Sequence, residues 1–546
     1  MVDAVPLSPA VTLVNEGRPR PTSKARKYVL LIVFCLAQFL DSFNNSALFS
    51  AVPALTLSLH INESESSWLF SAFQLTFASF LLVSGKISDL YNPKVAFIVG
   101  VAGLGVISTG AGFSNNKIII IILRAFMGIV ASLTIPSALT LLVKVFPEPL
   151  EQARAIGIFG GCGAIGNVLG LLIGALFTQY TSWSWVFWFV AIIAIPVGFI
   201  CVFIIPPQPS GKRDGESQKE RFKRLDIIGV SALTIALILF IFALTTGATG
   251  SWASAMVIVP LVISFALIGF FIYWETLLPE DGAAVPPKTW FLPNFSVLFG
   301  SALLPYFWWT TVFLIYTNLW QSVYHWEIIE AAIHMIPIGV MAFAMSFTGP
   351  LSRVISPKWL ILTGQGLMMI ACVLLALADT PDKYWPMVFP AFVLGSTGAM
   401  LTFTHNNIAI FRTGPPSMAG TVGAIVNGAL QLGSAIGIAA VTSIETSVEE
   451  REGGFDEYHG RAAAFWFLLG IVGLEALMVA LFYRRGVERS DDEVEVIGEG
   501  EGKVDVETPM TVVEKDTYFE EKKVEEVGVL GGETPVEERS VDVEVI

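Results

Sequence analysis

The sequence predicts an all-α polytopic membrane protein of fourteen transmembrane helices, built as two six-helix halves with two further helices inserted between them. Three observations carry that reading. First, fourteen runs of roughly twenty apolar residues lie between Tyr28 and Tyr483 with almost no charge inside them. At about 1.5 Å per residue, each crosses a hydrocarbon core of about 30 Å. Lipid offers the backbone no hydrogen-bond partner, so each run is a helix. Second, 54% of the 546 residues are hydrophobic and the mean hydropathy is +0.68, more than a soluble chain of this length carries. Third, the chain repeats itself, as set out below.

The helices are expected at about 28–49, 67–88, 95–113, 117–143, 153–178, 184–205, 227–247, 253–274, 295–322, 329–350, 358–379, 385–408, 417–443 and 462–484. That divides the chain into an N-tail (1–27), a first half (28–205), a linker (206–226), an inserted pair (227–274), a second half (295–484) and a C-tail (485–546). Trp252 and Trp274 bracket the eighth helix as interfacial anchors do. No cleavable signal precedes the first helix, which is expected to serve as its own insertion signal. Both tails are polar and expected to be disordered. The net charge of −14 belongs to the C-tail, where twenty acidic and six basic residues follow from Glu488. It describes no partner surface, and no nucleic-acid partner is expected.

Orientation follows from the basic residues. With an even helix count, roughly 22 Lys and Arg fall on the side of the termini against about 4 on the other (Lys117, Lys383, Arg451, Arg461), the far tail excluded. Both termini are therefore expected in the cytoplasm, most simply at the plasma membrane. The opposite face is acidic, with Glu63, Glu65, Glu449, Glu450 and Glu452, and holds the sequon at Asn62, a glycosylation acceptor. The four cysteines (Cys35, Cys162, Cys201, Cys372) lie inside apolar runs as packing residues, without metal-ligand spacing.

The repeat sets the architecture. The second helix ends Gly85-Lys86-Ile87-Ser88-Asp89, followed by Pro93-Lys94; the tenth ends Gly349-Pro350-Leu351-Ser352-Arg353, followed by Pro357-Lys358, 264 positions on. Gly170 and Gly174 of the fifth helix recur as Gly433 and Gly437 of the thirteenth, 263 positions on. Two segments with nearly one offset indicate a duplicated six-helix unit, helices 1–6 and 9–14.

Two opposite charges sit at membrane depth. Asp41 lies about 20 Å from the cytoplasmic side and Arg124 about 10 Å from the outer face, the same depth in a core of about 30 Å. Such charges are costly unless they face each other or water, so the two are expected to pair, as a static clamp or as a carboxylate that titrates beside a permanent cation. Glu475, in the middle of the fourteenth helix, is a further candidate for proton coupling. Asn44, Asn45, Gln74, Asn167, Asn318, Gln321, His334, His405, Asn406, Asn427 and Gln431 are interior polar groups, either interhelical hydrogen-bond partners or cavity lining. The two histidines fall towards helix ends, where wetted side chains are usual. Phe307-Trp308-Trp309, halfway along the ninth helix, either packs or lines a site for a flat or cationic molecule. Gly161-Cys162-Gly163-Ala164-Ile165-Gly166 spells a nucleotide fingerprint, but inside a transmembrane helix its glycines serve close packing. No P-loop, zinc spacing or nucleophile elbow is present, so neither an enzyme, a metal nor a cofactor is expected, and nothing binds ATP.

These residues resemble the fourteen-helix drug:proton antiporter branch of the major facilitator superfamily, over roughly residues 28–484. Leu40 to Leu48, followed by Pro53, is similar to that family's first-helix motif. Gly85, Asp89 and Lys94 resemble the gating motif between helices 2 and 3, with Leu90 and Asn92 where Arg and Gly are usual. Arg124 and Gly128 match the fourth-helix motif, whose arginine the family links to proton transfer. Gly163, Gly166, Gly170 and Gly174 resemble the antiporter motif of the fifth helix, with Asn167 where proline is usual. Ala419 to Gly423, with Gln431, Gly433 and Gly437, is similar to fungal aminotriazole-resistance and low-affinity ammonium transporters. The resemblance implies a monomeric transporter whose partners are protons, a small-molecule substrate and the lipid bilayer. Three functions stay open: proton-coupled export of a drug or secondary metabolite, facilitated passage of a small solute such as ammonium or borate, and a membrane sensor on a transporter scaffold.

Overall fold

The computed structural model describes residues 24–61, 63–207, 225–249, 251–279, 282–414, 418–452 and 457–484. The expected disordered tails, most of the linker and the sequon residue Asn62 lie outside the described residues. Among the described residues, fourteen helices are long and apolar enough to cross a membrane. Those of the first half are α1 (Lys24–Val52), α2 (Trp68–Leu90), α3 (Pro93–Phe113), α4 (Lys117–Val145), α5 (Pro149–Tyr180) and α6 (Ser184–Ile204). The inserted pair is α7 (Ile227–Ala248) and α8 (Ala255–Leu277). The second half comprises α9 (Phe295–Val323), α10 (Ile328–Ser346), α11 (Pro357–Ala376), α12 (Pro381–Thr413), α13 (Ala419–Glu449) and α14 (His459–Phe482). No strand occurs among the described residues.

Three helices expected to be continuous are broken. α4 is interrupted between Ala131 and Thr134, α9 at Leu303 and α10 at Met335. In each case a proline (Pro136, Pro305, Pro337) opens the next segment, where it lacks an N–H to donate and its ring crowds the preceding turn. α12 starts with a 3₁₀ turn and a π turn, and a second π turn (Leu319–Val323) closes α9. Pro196 and Pro260, by contrast, sit inside uninterrupted helices.

Helix packing follows the duplication. In lipid no hydrophobic force draws helices together, so close approach between small residues does most of the work. α5 lies on α1 through its glycines: a Cβ at Gly166 would fall 2.6 Å from the Phe39 carbonyl oxygen, and one at Gly174 2.5 Å from that of Ala47. Gly170 meets the Ser46 hydroxyl, and Gly163 the Gln38 amide. In the second half α13 lies on α9 the same way, with Gly433 against the Leu303 carbonyl and Gly437 against the Phe307 ring. α3 pairs with α6 and α11 with α14. Each of those pairs is fixed by a lysine at the repeat position: Lys94 Nζ donates to the carbonyls of Val202 and Ile205 (both 2.7 Å), and Lys358 Nζ to those of Ala480 (2.7 Å) and Tyr483 (2.9 Å). A cation on the last carbonyls of a helix stabilises it by about 0.3–1 kcal/mol when exposed. Lys94→Met and Lys358→Met should therefore each lower the unfolding temperature of the detergent-solubilised protein only slightly, by about 1 °C or less, with the double variant additive; thermal scanning measures it.

The inserted pair rests against the seam between the halves. α7 packs on α2 and α13, with Thr234 donating to the Ser79 carbonyl at 3.1 Å and Trp252 to the Ser443 hydroxyl at 2.9 Å. Trp274, expected as an interfacial anchor, donates to Asp226 at 2.8 Å. α8 turns most of its apolar surface outward, including Val262, Phe265 and Ile272. Arg461, expected in an outer loop, is instead fully buried at the start of α14, where it pairs with Glu445 (3.2 Å) and Glu449 (3.8 Å) of α13. That displacement has a simple cause: α13 continues helical to Glu452 and carries its acids past Arg461.

Candidate functional site

The two halves meet through α2 with α13 and α5 with α10, pairs related by the duplication. At the end of the bundle that holds the first residues of α1, this seam is shut. A Cβ at Gly85 would lie 2.7 Å from both the Gly420 carbonyl and the Ala424 side chain; one at Gly349 would lie 2.6 Å from the Ala153 carbonyl. Asp89 reaches across the seam onto the first turn of α13. Its carboxylate accepts from the Gly420 N–H (2.8 Å), the Thr421 N–H (2.7 Å) and the Thr421 hydroxyl (2.7 Å). The first N–H groups of a helix have no partner within it and carry partial positive charge, so an acid from the other half is well placed there. Of the three gating-motif residues, Gly85 and Asp89 bridge the halves. Lys94 does not: it binds only α6, within its own half.

Midway along the seam lies an amide chain. Asn45 Nδ2 donates to Gln74 Oε1 at 3.2 Å, and Gln74 Nε2 donates to Gln431 Oε1 of the opposite half. Asn427, one turn before Gln431, bonds its own helix at the Gly423 carbonyl (2.9 Å). The Cβ direction of Gly428 meets nothing within 4 Å, so the α13 face beside Gln431 fronts open space. Asn167 is half-buried on α5. At the end opposite Asp89, a narrow crevice between the halves is lined by Phe49, Ser50, Leu171, Thr317, Gln321 and Met335 among others.

The structure separates the two charges expected to pair. Asp41 is 6% exposed and its Oδ2 accepts from the Thr134 hydroxyl; its Oδ1 has no partner. Arg124 is fully buried and donates to the carbonyls of Leu69 (2.9 Å) and Asn44 (3.3 Å), with its guanidinium 4.6 Å from the centre of the Phe73 ring. The arginine meets α1 at the Asn44 carbonyl, one turn beyond Asp41, while Asp41 takes Thr134, ten residues further along α4. Thr134 sits in the first turn after the break in α4, which positions its hydroxyl towards α1.

Other expected site residues fall in different places. Asn44 and Trp308 are fully buried; Trp308 fills the space beside Gly395, where a Cβ would run into the indole. Trp309 packs near Tyr306, ring centres 5.9 Å apart. Glu475 is half-buried on α14, and its Oε2 has no partner. His405 lies inside α12, fully buried and 3.4 Å from the Thr348 hydroxyl, not at a wetted helix end. His334 is clasped by Trp326 and Tyr384, at 4.6 and 4.5 Å. Two residues escaped the sequence reading. One is Thr134; the other is Tyr306, whose phenol lies within electrostatic reach of Asp41 from the opposite half. A hydroxyl two residues before Pro136, where α4 had to break, was the available signal for the first. The second, next to the tryptophan pair, gave none.

Duplicated halves, a seam closed at one end and polar groups along its middle are the architecture of a membrane transporter. The chain belongs to the Major Facilitator Superfamily, whose model matches residues 34–438. It is 25% identical over 494 residues to the major facilitator superfamily multidrug transporter mfsC of Aspergillus fumigatus, covering 86% of this chain and 90% of that one. It is 23% identical to the low affinity ammonium transporter of Saccharomyces cerevisiae over 85% and 90% of the two chains. Among solved structures, the proton:xylose symporter XylE superposes with a TM-score of 0.60 at 12% identity, over 87% of this chain and 99% of the other; it shares the fold.

Proposed function

We propose that this transporter exports a small organic compound in exchange for protons, with both termini in the cytoplasm and the closed seam facing it. The observation that supports proton coupling is Asp41: a buried carboxylate with no ion partner, one oxygen on Thr134 and the other unpartnered. Ionised, such a group demands water or a cation; protonated, it demands neither. A group of that kind responds directly to whether the surrounding helices are open or closed. The substrate region is read from Asn45, Gln74, Asn427 and Gln431 together with Tyr306 and Trp309. Neutral amides beside aromatic rings suit a planar organic molecule with hydrogen-bonding groups, and the multidrug relative supports that class.

Because the Gln74–Gln431 bond joins the halves, it must break whenever they part, and a substrate able to satisfy both amides would replace it. Gln431→Leu should accordingly raise the concentration for half-maximal transport roughly tenfold, about the effect of one lost hydrogen bond plus one unpaired amide. Maximal rate should change less. The test of the reading as a whole uses the purified full chain in liposomes with an imposed pH gradient, and two probes, ethidium and methylammonium. Uphill movement of ethidium that disappears with the gradient supports export. Passive, gradient-independent equilibration of methylammonium alone would establish the facilitator reading instead, and no flux of either would favour the sensor.

A further inference from the structure

Asn44 occupies a position that substrate lining does not explain. It lies one turn beyond Asp41 on α1, is fully buried, and its backbone carbonyl holds Arg124 at 3.3 Å. Both polar atoms of its side chain are without a partner, as are Asp41 Oδ1 and Arg124 Nη2. Asn44, Asp41 and Arg124 together thus bring four buried polar atoms that face no protein partner: two donors (Asn44 Nδ2 and Arg124 Nη2) and two acceptors (Asn44 Oδ1 and Asp41 Oδ1). A water molecule offers the complementary two donors and two acceptors, and buried water typically settles where several such groups converge. Two neighbouring acceptors on α1, Gln38 Oε1 and Asn45 Oδ1, are likewise without a protein partner. Thr134 of α4 bonds the other oxygen of Asp41, α2 presents Gln74, which is taken up by Asn45 and Gln431, and α5 presents the glycines at 163 and 166. The titratable or charged groups that reach it are Arg124 of α4 and, across the seam, Tyr306 of α9; Cys35 and Cys162 meet further back along α1.

We infer that Asn44 is the positioning residue of the proton site, its amide and an ordered water linking the Asp41 carboxylate to the Arg124 guanidinium in place of a direct ion pair. The inference rests on the proton coupling at Asp41 proposed above. Asn44 takes no proton itself. It fixes the separation at which the cation acts on the carboxylate, and it gives the water a single orientation in each charge state. An apolar group of similar size would keep the packing and remove the link.

Infrared difference spectroscopy of the full-length protein in liposomes, titrated in pH and repeated in ¹⁸O water, tests this without any substrate. The carboxyl band of Asp41 is identified by its loss in Asp41→Asn. In the unaltered protein an ordered-water O–H band that shifts with ¹⁸O should change together with that carboxyl band. Asn44→Leu should remove the water band and move the carboxyl midpoint about tenfold in proton concentration. Asn44→Ser, which keeps a donor and an acceptor, should retain both signals. If the leucine variant does not reach the membrane, Asn44→Ala replaces it with the same expectation. An unmoved midpoint and an intact water band in the leucine or alanine variant would overturn the inference, as would a serine variant no better than leucine, which marks a packing role. Absence of any titrating Asp41 band in the unaltered protein is a separate outcome: it removes proton coupling at Asp41, and this inference with it.

Discussion

Asp41→Asn should abolish uphill transport while leaving the protein in the membrane in normal amount. Asparagine has nearly the shape of aspartate and can still bond the Thr134 hydroxyl, so α1 and α4 keep their contact. What it cannot do is change charge. With one proton exchanged per substrate, each pH unit across the membrane sustains about a tenfold concentration ratio, and without a titrating carboxylate that ratio falls to about one. Exchange of labelled for unlabelled ethidium with no pH gradient needs no net proton movement and should survive. Liposomes with one pH unit imposed measure both quantities. Accumulation equal to that of the unaltered protein, with the same pH dependence, would make Asp41 structural and move attention to Glu475, the other acid at depth whose carboxyl oxygen has no partner.

Much of the architecture was legible because it rests on one-dimensional signals. Length and apolarity give the spans, and the 264-residue offset pairs Gly85 with Gly349 and Lys94 with Lys358. The structure shows why the offset exists: both glycines admit a facing helix at the seam, and both lysines bind the closing carbonyls of the last helix in their own half. The site was less legible, for reasons of phase and of distance along the chain. Asn44 and Asn45 are neighbours in sequence but point about 100° apart on α1, one into a sealed turn and the other into the amide chain. Gln74 and Gln431 meet across 357 positions, and no pattern within either helix announces the other. Arg124 was placed by counting residues along α4, which gives a depth but neither the direction of the side chain nor its partners. Its guanidinium went to two carbonyls and an aromatic ring, which leave Nη2 without a protein partner.

Gly85→Val should trap the transporter with the Asp89 end open. Even the first carbon of a side chain at this position would sit 2.7 Å from the Gly420 carbonyl and 2.7 Å from Ala424, distances that no real Cβ sustains. Both neighbours belong to α13, one being backbone, so only a separation of the halves relieves the clash. That separation removes the three bonds from Asp89 to Gly420 and Thr421, each of the charge-assisted kind that contributes about 1.5–3 kcal/mol. Asp89→Ala removes the same bonds without the clash, so a weaker shift in the same direction is expected, roughly a hundredfold in the closed-to-open ratio if two of the bonds' worth is recovered by water. Ser88 reports the change. It is fully buried beside the Thr140 hydroxyl at the closed seam, and Ser88→Cys, in a chain with Cys35, Cys162, Cys201 and Cys372 replaced, carries a single thiol there. A maleimide that does not cross membranes, applied from the Asp89 side, should label it slowly in the parent, faster with Asp89→Ala and fastest with Gly85→Val, whose transport rate should fall at least tenfold. Equal protection in all three would mean that closure at this end is held elsewhere, by the Gly349–Ala153 contact related to it through the duplication.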